Sequence, residues 1–188
     1  GSRAWRGAAI INLLSLQPDE KVTTVIPIRE FVEGAFLFMG TRNGIVKKTN
    51  LLEFDSVRKN GLIAIGLDDD DDLIGVKLTD GCQTIILGTR DGMAITFSEE
   101  DVRPVGRTAR GVKGINLQEM DAIVGMEIMT PNCQVLVVSE LGFGKRTAVD
   151  QYREQTRGGK GLINLKVTEK TGAVVGLVAI TPGAGFVP

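Results

Sequence analysis

Histidine is absent from this chain of 188 residues, and aromatic residues make up only 5% of it. Histidine is the commonest general base of enzymes and a frequent zinc ligand, so its absence weakens hydrolase and zinc-site interpretations. Two cysteines, Cys82 and Cys133, are too few for a disulfide scaffold in a chain of this length. We expect both to be buried free thiols in a reducing cytoplasm. No apolar run approaches the ~18 residues of a membrane span, so the sequence predicts a soluble protein.

What the chain has in abundance is glycine, with 24 residues, and apolar side chains, which make up 43% of it. A chain of this size and composition can bury a substantial core. Many glycines and few aromatics favour short strands joined by tight turns over long helices. The net charge of −1 is not that of a basic protein. Any site for a polyanion must therefore depend on a local concentration of positive charge.

A block of roughly fifty residues occurs three times, which is typical of solenoids, propellers and repeat arrays. Each copy opens with a short apolar run followed by a turn that ends in glycine: Gly44, Gly92 or Gly142, which are 48 and 50 residues apart. Each copy also contains a basic, glycine-rich loop, which we align on Gly61, Gly111 and Gly158, spaced 50 and 47 residues apart. No unit of such an array buries its apolar face alone.

Each copy reads as four short strands. The first two strands form a hairpin over residues 35–39 and 45–49, 83–87 and 93–97, and 134–138 and 143–147. Asn43-Gly44 and Asp91-Gly92 are strong hairpin signals, because both residues of such a pair tolerate positive φ. A variable segment then holds Phe54, Val102 or Tyr152, for which we expect packing roles. A third strand such as residues 115–117 follows the basic loop, and a fourth begins at Ile74-Gly75, Val124-Gly125 or Val175-Gly176.

The N-terminal residues fit the same template from its middle, since residues 6–13 align without a gap with residues 110–117. We therefore divide the chain into an expected cloning remnant (1–2), the second half of an earlier blade (3–34) and three further blades (35–82, 83–133 and 134–181). The predicted fold is all-β, with about three and a half four-stranded, propeller-like blades of a longer array.

The stretch Gln-Thr-Arg-Gly-Gly-Lys-Gly at residues 155–161 resembles a glycine-rich box, Q-R-R-G-G-basic-G, found in the C-terminal domain of the DNA gyrase A subunit. Residues 60–64, 78–81, 106–114 and 142–147 are similar to other stretches of that family, in the same order. The resemblance covers residues 3–180 and implies a β-pinwheel, a propeller-like ring whose blades exchange a strand and whose rim binds and bends DNA. The related topoisomerase IV A subunit has a more degenerate version. Thr156 replaces an arginine of the box, and the full box of the family lies in an earlier blade than this one.

The basic loops are the candidate DNA-binding site. One such loop could be a solvated turn, but recurrence at one point of the repeat favours contact with phosphates. Glycines there could admit backbone amides to a phosphate, or could serve only to bend strands. On the second strand, Lys145 and Arg146 match Lys47 and Lys48, whereas the middle repeat has Ile95 and Thr96. The predicted DNA-binding residues are Arg58, Lys59, Arg107, Arg110, Lys113, Lys145, Arg146, Arg157, Lys160, Gly158, Gly159 and Gly161.

Within the loops we match Arg110 with Arg157 and Lys113 with Lys160, and we expect their side chains to form one continuous strip. Residues 68–72 are five consecutive aspartates without the spacing of a calcium loop. We expect them to form a solvated turn on the side opposite the basic loops, where they would repel DNA.

Residues 142–147 lack the features of a nucleotide-binding loop, because Arg146 replaces the required Ser or Thr and Ser139 replaces a glycine. Tyr152 is a poor candidate for DNA cleavage and a better one for packing. We expect no catalytic residue, metal or cofactor in this chain.

The resemblance implies a non-catalytic module of a type IIA topoisomerase that binds and wraps duplex DNA without sequence specificity and supports supercoiling. The implied partners are duplex DNA, the B subunit of the enzyme, and the rest of the A subunit, with no membrane partner; exposed blade edges would allow self-association. Two alternatives stay open: a propeller that presents its basic loops to an acidic protein partner, and, less favoured, an enzyme with its active site in a central channel. The sequence does not distinguish a gyrase parent from a topoisomerase IV parent.

Overall fold

The structure is a computed structural model, and it describes residue 26 and residues 28–55 and 64–181. The regular elements of these residues are β-strands and three short 3₁₀ helices, Leu51–Phe54, Glu99–Asp101 and Val149–Gln151, without an α-helix. The strands are β1 (Phe36–Thr41), β2 (Ile45–Asn50), β3 (Leu73–Thr79), β4 (Thr84–Thr89), β5 (Met93–Ser98), β6 (Val112–Lys113), β7 (Ile123–Met129), β8 (Gln134–Ser139), β9 (Gly144–Ala148), β10 (Leu162–Ile163) and β11 (Val174–Ile180).

These strands form three antiparallel sheets, one for each repeat. The strand orders are β3-β1-β2-β6, β10-β5-β4-β7 and β11-β8-β9. In the first two sheets the hairpin supplies the two central strands, and in the third it supplies the central strand β8 and the edge strand β9. In each sheet the strand that begins with the hydrophobic-Gly pair flanks the first hairpin strand. This confirms the predicted all-β fold and the predicted first, second and fourth strands, with ends that differ by one or two residues.

The third strand is where the prediction fails. Residues 115–117 are not a strand; the strand is β6, three residues earlier, and it pairs with β2 of the preceding repeat, Val46 opposite Val112. β10 pairs in the same way with β5, Ala94 opposite Leu162. Ile115 instead donates its N–H to the carbonyl of Gly44 and is buried. Each short strand thus completes the sheet of the preceding repeat, which is the strand exchange that the resemblance implied.

The hairpin turns lie at the predicted places in all three repeats. Only the glycine that ends each turn has positive φ, +87° at Gly44, +88° at Gly92 and +85° at Gly142. The N–H of Gly44 donates to the carbonyl of Thr41 at 3.1 Å, and the N–H of Ile45 donates to the Thr41 hydroxyl at 3.1 Å. This is a three-residue loop in which a type I turn is followed by a left-handed glycine. The threonine and the glycine, rather than the Asn-Gly or Asp-Gly pair, define it.

The apolar cores lie between sheets. One cluster joins the first and second sheets around Phe38, Ile85, Leu87 and Phe97. A second joins the second and third sheets around Ile86, Val135, Val137 and Leu177. A third packs Leu37, Met39 and Phe54 of the first repeat against Ile26, Ile28 and Phe31, which precede it. Each sheet is therefore covered by its neighbours in sequence order, as the repeat pattern predicts.

Both cysteines are free, but only Cys133 is buried; Cys82 is exposed, so that part of the expectation is wrong. No helix in residues 28–55 and 64–181 is long and apolar enough to cross a bilayer.

Candidate nucleic-acid interface

The basic loop of the middle repeat, residues 106–111, packs against the end of the corresponding loop of the first repeat. The N–H of Gly66 donates to the carbonyl of Ala109 at 3.0 Å. The Lys47 ammonium, from β2, donates to the carbonyls of Ala64 at 2.6 Å and of Arg107. The loop thus lies across the junction of the first two blades. Arg58 and Lys59 lie outside the described residues.

The basic loop of the third repeat, residues 156–161, lies in the same way on the middle repeat. The N–H of Gly158 donates to the carbonyl of Gly114 at 2.7 Å, and the N–H of Asn116 donates to the carbonyl of Gly159 at 2.8 Å. The Arg157 guanidinium donates to the carbonyl of Lys113 at 3.2 Å and to that of Asp101 at 3.1 Å. The third loop therefore contacts the segment that follows the middle loop, residues 113–116.

Strand pairing shows how the loops correspond. Gly111 and Gly161 each precede the exchanged strand, with φ of +101° and +79°. A Cβ on either one would lie 2.5 Å from a backbone carbonyl oxygen, that of Val46 or of Ala94. Gly161, and not Gly158, is thus the counterpart of Gly111, and the two are 50 residues apart. The predicted alignment of the third loop is wrong by three residues.

With this register, Arg107 corresponds to Arg157 and Arg110 to Lys160, rather than Arg110 to Arg157 and Lys113 to Lys160. The side chains of Lys113 and Lys160 are exposed, and neither makes a hydrogen bond or ion pair within the described residues. The Arg157 side chain is half-buried and held by the two carbonyls. It therefore fixes the third loop to the middle repeat.

The contact of Arg110 shows that the predicted position of the aspartate-rich turn is wrong. Its guanidinium forms an ion pair with Asp68 at 2.6 Å, and both side chains are about half exposed. The aspartate-rich turn of one repeat thus lies beside the basic loop of the next, not on the opposite side. In the middle repeat, Gln118 occupies the position that Asp68 has in the first repeat. The two positions correspond because the N–H groups of Gly66 and Asn116, each two residues earlier, donate to equivalent carbonyls of the following loop. This replacement explains why Lys160 has no acidic partner there.

Nor is the whole aspartate run a solvated turn. Asp71 is buried, and its carboxylate accepts the N–H groups of Asn43 and Asp72, each at 2.9 Å. Asp72 forms an ion pair with Arg42 at 2.7 Å. These two aspartates stabilise the turn of the neighbouring β1–β2 hairpin.

The lysines of β2 are buried as well, so the matching cations of the second strand do not share one environment. Burial lowers the pKa of Lys47 to about 8, an effect that nearby Glu53 opposes and Arg107 reinforces. Lys48 donates to the carbonyl of Glu99 at 2.9 Å and lies 3.8 Å from its carboxylate. Lys145 and Arg146 on β9, by contrast, are exposed. Lys145 donates to the carbonyl of Asn164 at 2.8 Å, which matches the bond from Lys47 to Ala64.

Two of the three loop glycines make close contacts within the protein. The amide of Gly158 is taken by a carbonyl of the protein, and Gly161 allows close approach to β5. Gly159 is exposed.

The predicted packing role of Tyr152 is confirmed. It packs against the second apolar cluster, and its hydroxyl donates to Oδ1 of Asn164 at 2.7 Å. Burial raises the pKa of this phenol, although hydrogen bonds with Thr147 and Asn164 act in the opposite direction.

Two further cations near these loops are not among the predicted residues. Arg103 and Arg153 are 50 residues apart, each four residues before the loop arginine, and both are exposed without a hydrogen bond or ion pair in the part of the chain described. Arg153 lines a shallow polar groove of about 660 Å³ together with Lys160, Asp101 and Glu154. The 50-residue spacing would have revealed this pair, had the third loop been aligned on Gly161.

Comparison with known proteins agrees with this geometry. The family model of the DNA gyrase C-terminal domain, a beta-propeller, matches residues 35–80, 83–128 and 134–181. The chain is 45% identical over 179 residues to the DNA gyrase A subunit of Salmonella typhimurium and 48% identical over 181 residues to that of Lawsonia intracellularis. These matches cover 95% and 94% of this chain, which spans only 20% and 22% of the length of the two relatives.

Two solved structures are also similar. The C-terminal domain of DNA topoisomerase IV superposes with a TM-score of 0.86 at 33% identity, over 93% of this chain and 55% of that one. The DNA gyrase A C-terminal domain gives a TM-score of 0.83 at 28% identity, over 94% and 59%. With three family matches on three sheets that exchange strands, the chain belongs to the DNA gyrase A C-terminal domain family and has its propeller-like β-pinwheel fold.

Proposed function

We propose that this domain binds duplex DNA without sequence specificity and bends it across its consecutive basic loops. The observation that supports the proposal is the contact of each loop with the preceding repeat: the Arg157 side chain donates to the carbonyl of Lys113, the last residue of β6, which directly follows the middle loop. Exposed cations at equivalent positions, Arg110 and Lys160, therefore follow one another along the array of blades. DNA that contacts two such loops has to follow the direction in which the blades are stacked.

The chemistry of these cations suits a phosphate backbone. Each Lys or Arg that neutralises a phosphate releases condensed counterions, which drives binding without reading sequence. Bending costs a few kcal/mol for a short duplex, and additional phosphate contacts along the loops offset it. The net charge of −1 confines binding to the loop region, because the rest of the surface repels DNA at low salt.

In the intact protein we assign the domain a non-catalytic role within a cytoplasmic type IIA topoisomerase. It would belong to the A subunit of that enzyme, and its partners would be the B subunit of the enzyme together with the rest of its own chain. The relatives named as A subunits of DNA gyrase support this assignment, as does the family match. The domain would hold a DNA segment in a curved path while another part of the enzyme cleaves DNA and supports supercoiling.

The test is a fluorescence-anisotropy titration of a short duplex at several salt concentrations. We expect log K to fall with log salt with a slope of about −3 to −6, since each neutralised phosphate contributes roughly −0.9. Lys113→Glu together with Lys160→Glu should weaken binding about tenfold or more and flatten the slope, because two phosphate contacts become repulsions. Both side chains are exposed, so the melting temperature should be unchanged.

Lys170→Glu is the matched control. Lys170 is also exposed, in the turn before β11, and its reversal changes the net charge in the same direction. The loss of DNA affinity in this control should be far smaller than half the loss in the Lys113→Glu, Lys160→Glu double variant. Affinity that does not depend on salt, or losses of equal size per charge in control and loop variants, would refute the basic-loop site. Tighter binding to polyglutamate than to DNA would favour an acidic protein partner instead.

A further inference from the structure

A cavity of about 400 Å³ opens at the junction of the second and third sheets. It lies at the end of the strands away from the hairpin turns, beside Thr84 of β4, Thr96 of β5 and Met129 of β7. Val149, which begins the third 3₁₀ helix, and Tyr152 close its other side. No residue of the basic loops 106–111 and 156–161 lines it, so it is distinct from the proposed DNA contacts. Its volume is that of a small-molecule site.

The equivalent space at the first junction is filled by the protein itself. There the Lys48 ammonium donates to the carbonyl of Glu99 at 2.9 Å and lies 3.8 Å from its carboxylate. It also lies 5.0 Å from the centre of the Phe36 ring. Lys48 and Glu99 are both buried. At the second junction three smaller residues hold the positions of Lys48, Glu99 and Phe36, respectively Thr96, Val149 and Thr84.

These replacements leave hydrogen-bonding capacity unused inside the cavity. Thr96 is only 4% exposed and lines the cavity, and its hydroxyl makes no hydrogen bond with the described residues. The carbonyl of Glu99 accepts the Lys48 ammonium in addition to a backbone N–H. The carbonyl of Val149 accepts the backbone N–H of Tyr152 at 3.1 Å, without a second donor among the described residues. Two oxygen acceptors are thus left where the first junction holds an ammonium, and buried polar groups without partners are rare.

Acidic side chains surround the mouth of the cavity. Asp150 and Glu154 line it, and both are exposed and without an ion pair among the described residues. Cys82 lies on the opposite wall. Loss of solvent raises the pKa of its thiol, and nearby carboxylates, chiefly Glu100 and Asp80, raise it further. The described lining contains no lysine or arginine. The charge at the mouth therefore favours a cation.

We propose that this cavity binds a linear aliphatic diamine, one ammonium group of which takes the place that Lys48 fills at the first junction. The carbonyl of Val149 and the hydroxyl of Thr96 accept hydrogen bonds from that group, and the methylene chain lies along the apolar wall. The second ammonium group meets the carboxylates of Asp150 and Glu154 at the mouth. A free diamine is favoured over a lysine side chain of another polypeptide, because a lysine carries no second positive charge for these carboxylates.

A ¹H–¹⁵N NMR titration of the full chain with 1,5-diaminopentane, without DNA and at constant ionic strength, tests the site independently of the proposed function. We expect saturable binding with a Kd of about 1 mM, the affinity of a small ligand with few contacts. The largest amide shifts should belong to Thr96, Val149 and Tyr152. The neutral 1,5-pentanediol and the dianion glutarate have chains of the same length and should bind at least about tenfold more weakly.

Two variants test the two ends of the ligand. Thr96→Lys supplies the lysine of the first junction from within the protein and should abolish binding. Asp150→Asn together with Glu154→Gln should weaken binding about tenfold and, since both residues are exposed, leave the melting temperature unchanged. This second variant keeps the test valid if Thr96→Lys does not fold.

Asp91→Asn together with Glu169→Gln is the matched control. Both residues are exposed acids outside the cavity lining, and the change of net charge is the same. The Kd of this control should differ from that of the unmodified chain by less than about twofold. Four outcomes would overturn the proposal: no saturable binding, equal affinity for the diol, equal losses in the control and mouth variants, or tighter binding of a backbone-blocked lysine than of the diamine.

Discussion

Lys47 is a lysine without exposed surface, and its ammonium donates to two carbonyls that belong to two different repeats. Its equivalent in the middle repeat, Ile95, is buried and apolar, and its equivalent in the third, Lys145, is exposed. The same strand position thus accepts a charge only where carbonyl oxygens converge on it, or where water reaches it. This dependence on surroundings has a measurable consequence for stability.

Because burial lowers the pKa of Lys47 from 10.5 to about 8, its protonation should couple to folding. Between these two pH values the unfolded chain holds the proton and the folded chain does not, so the free energy of unfolding should rise with pH. The gain is at most a few kcal/mol, from about 1.4 kcal/mol per pKa unit. In Lys47→Met this rise should disappear. Urea denaturation of both proteins from pH 7 to pH 10.5 gives their free energies of unfolding, and the difference between the two at each pH measures the contribution of Lys47. Parallel pH profiles would show that Lys47 titrates normally.

At the scale of elements, neighbouring blades are joined by contacts that differ from junction to junction. Between the first two sheets, Lys48 of β2 reaches the buried Glu99, whose carboxylate also accepts the Thr79 hydroxyl and the Gln83 N–H, both at 2.8 Å. At the next junction the equivalent residues are Thr96 and Val149. The same architecture therefore accommodates a buried ion pair or a neutral pair, and the first junction can be converted into the second.

Lys48→Thr and Glu99→Val are the changes that convert it. Each alone leaves one buried charge without its partner, which costs about 3–5 kcal/mol. The double variant removes both charges, so we expect it to be more stable than either single variant, with a favourable coupling of about 1–3 kcal/mol. Urea denaturation at pH 7 of all four proteins gives the coupling. Additive losses would mean that the two residues do not act as a pair.

The sequence predicted the elements unevenly, for a physical reason. The hairpins are local, so an apolar run, a Thr and a Gly within ten residues suffice to define them. The third strand has only two residues and pairs with a strand of the preceding repeat, far away in sequence, so no local pattern marks it. The third basic loop contains three glycines, and only the contact of Gly161 with β5 shows which one corresponds to Gly111. Contacts between repeats, such as Arg110 with Asp68, leave no sign in either repeat alone.

At the scale of the whole molecule, the described residues do not separate positive and negative charges onto opposite sides, since Arg110 and Asp68 lie side by side at the first junction. With 22 basic and 23 acidic residues, the chain owes any attraction for DNA to how these charges are arranged. Arg110 is neutralised by Asp68 at the first junction, whereas Lys160, its equivalent at the second, has no ion pair among the residues described. On the proposed function, we therefore expect the first junction to bind phosphates more weakly than the second.

This difference predicts that removing an acid at the first junction strengthens DNA binding. Asp68→Asn frees the Arg110 guanidinium while retaining a side chain of the same shape. Since the pair is about half exposed, its loss should hardly affect folding. We expect affinity for a short duplex to rise about threefold to tenfold at low salt. The slope of log K against log salt should become steeper by roughly 0.9, the contribution of one additional phosphate contact.

Asp69→Asn is the matched control, because it makes the same change of charge in the same turn at a residue without an ion pair among those described. Its effect on affinity should be smaller. Fluorescence anisotropy at several salt concentrations measures both variants. Equal gains would show that only the overall charge matters; no gain for Asp68→Asn would place the DNA path away from Arg110.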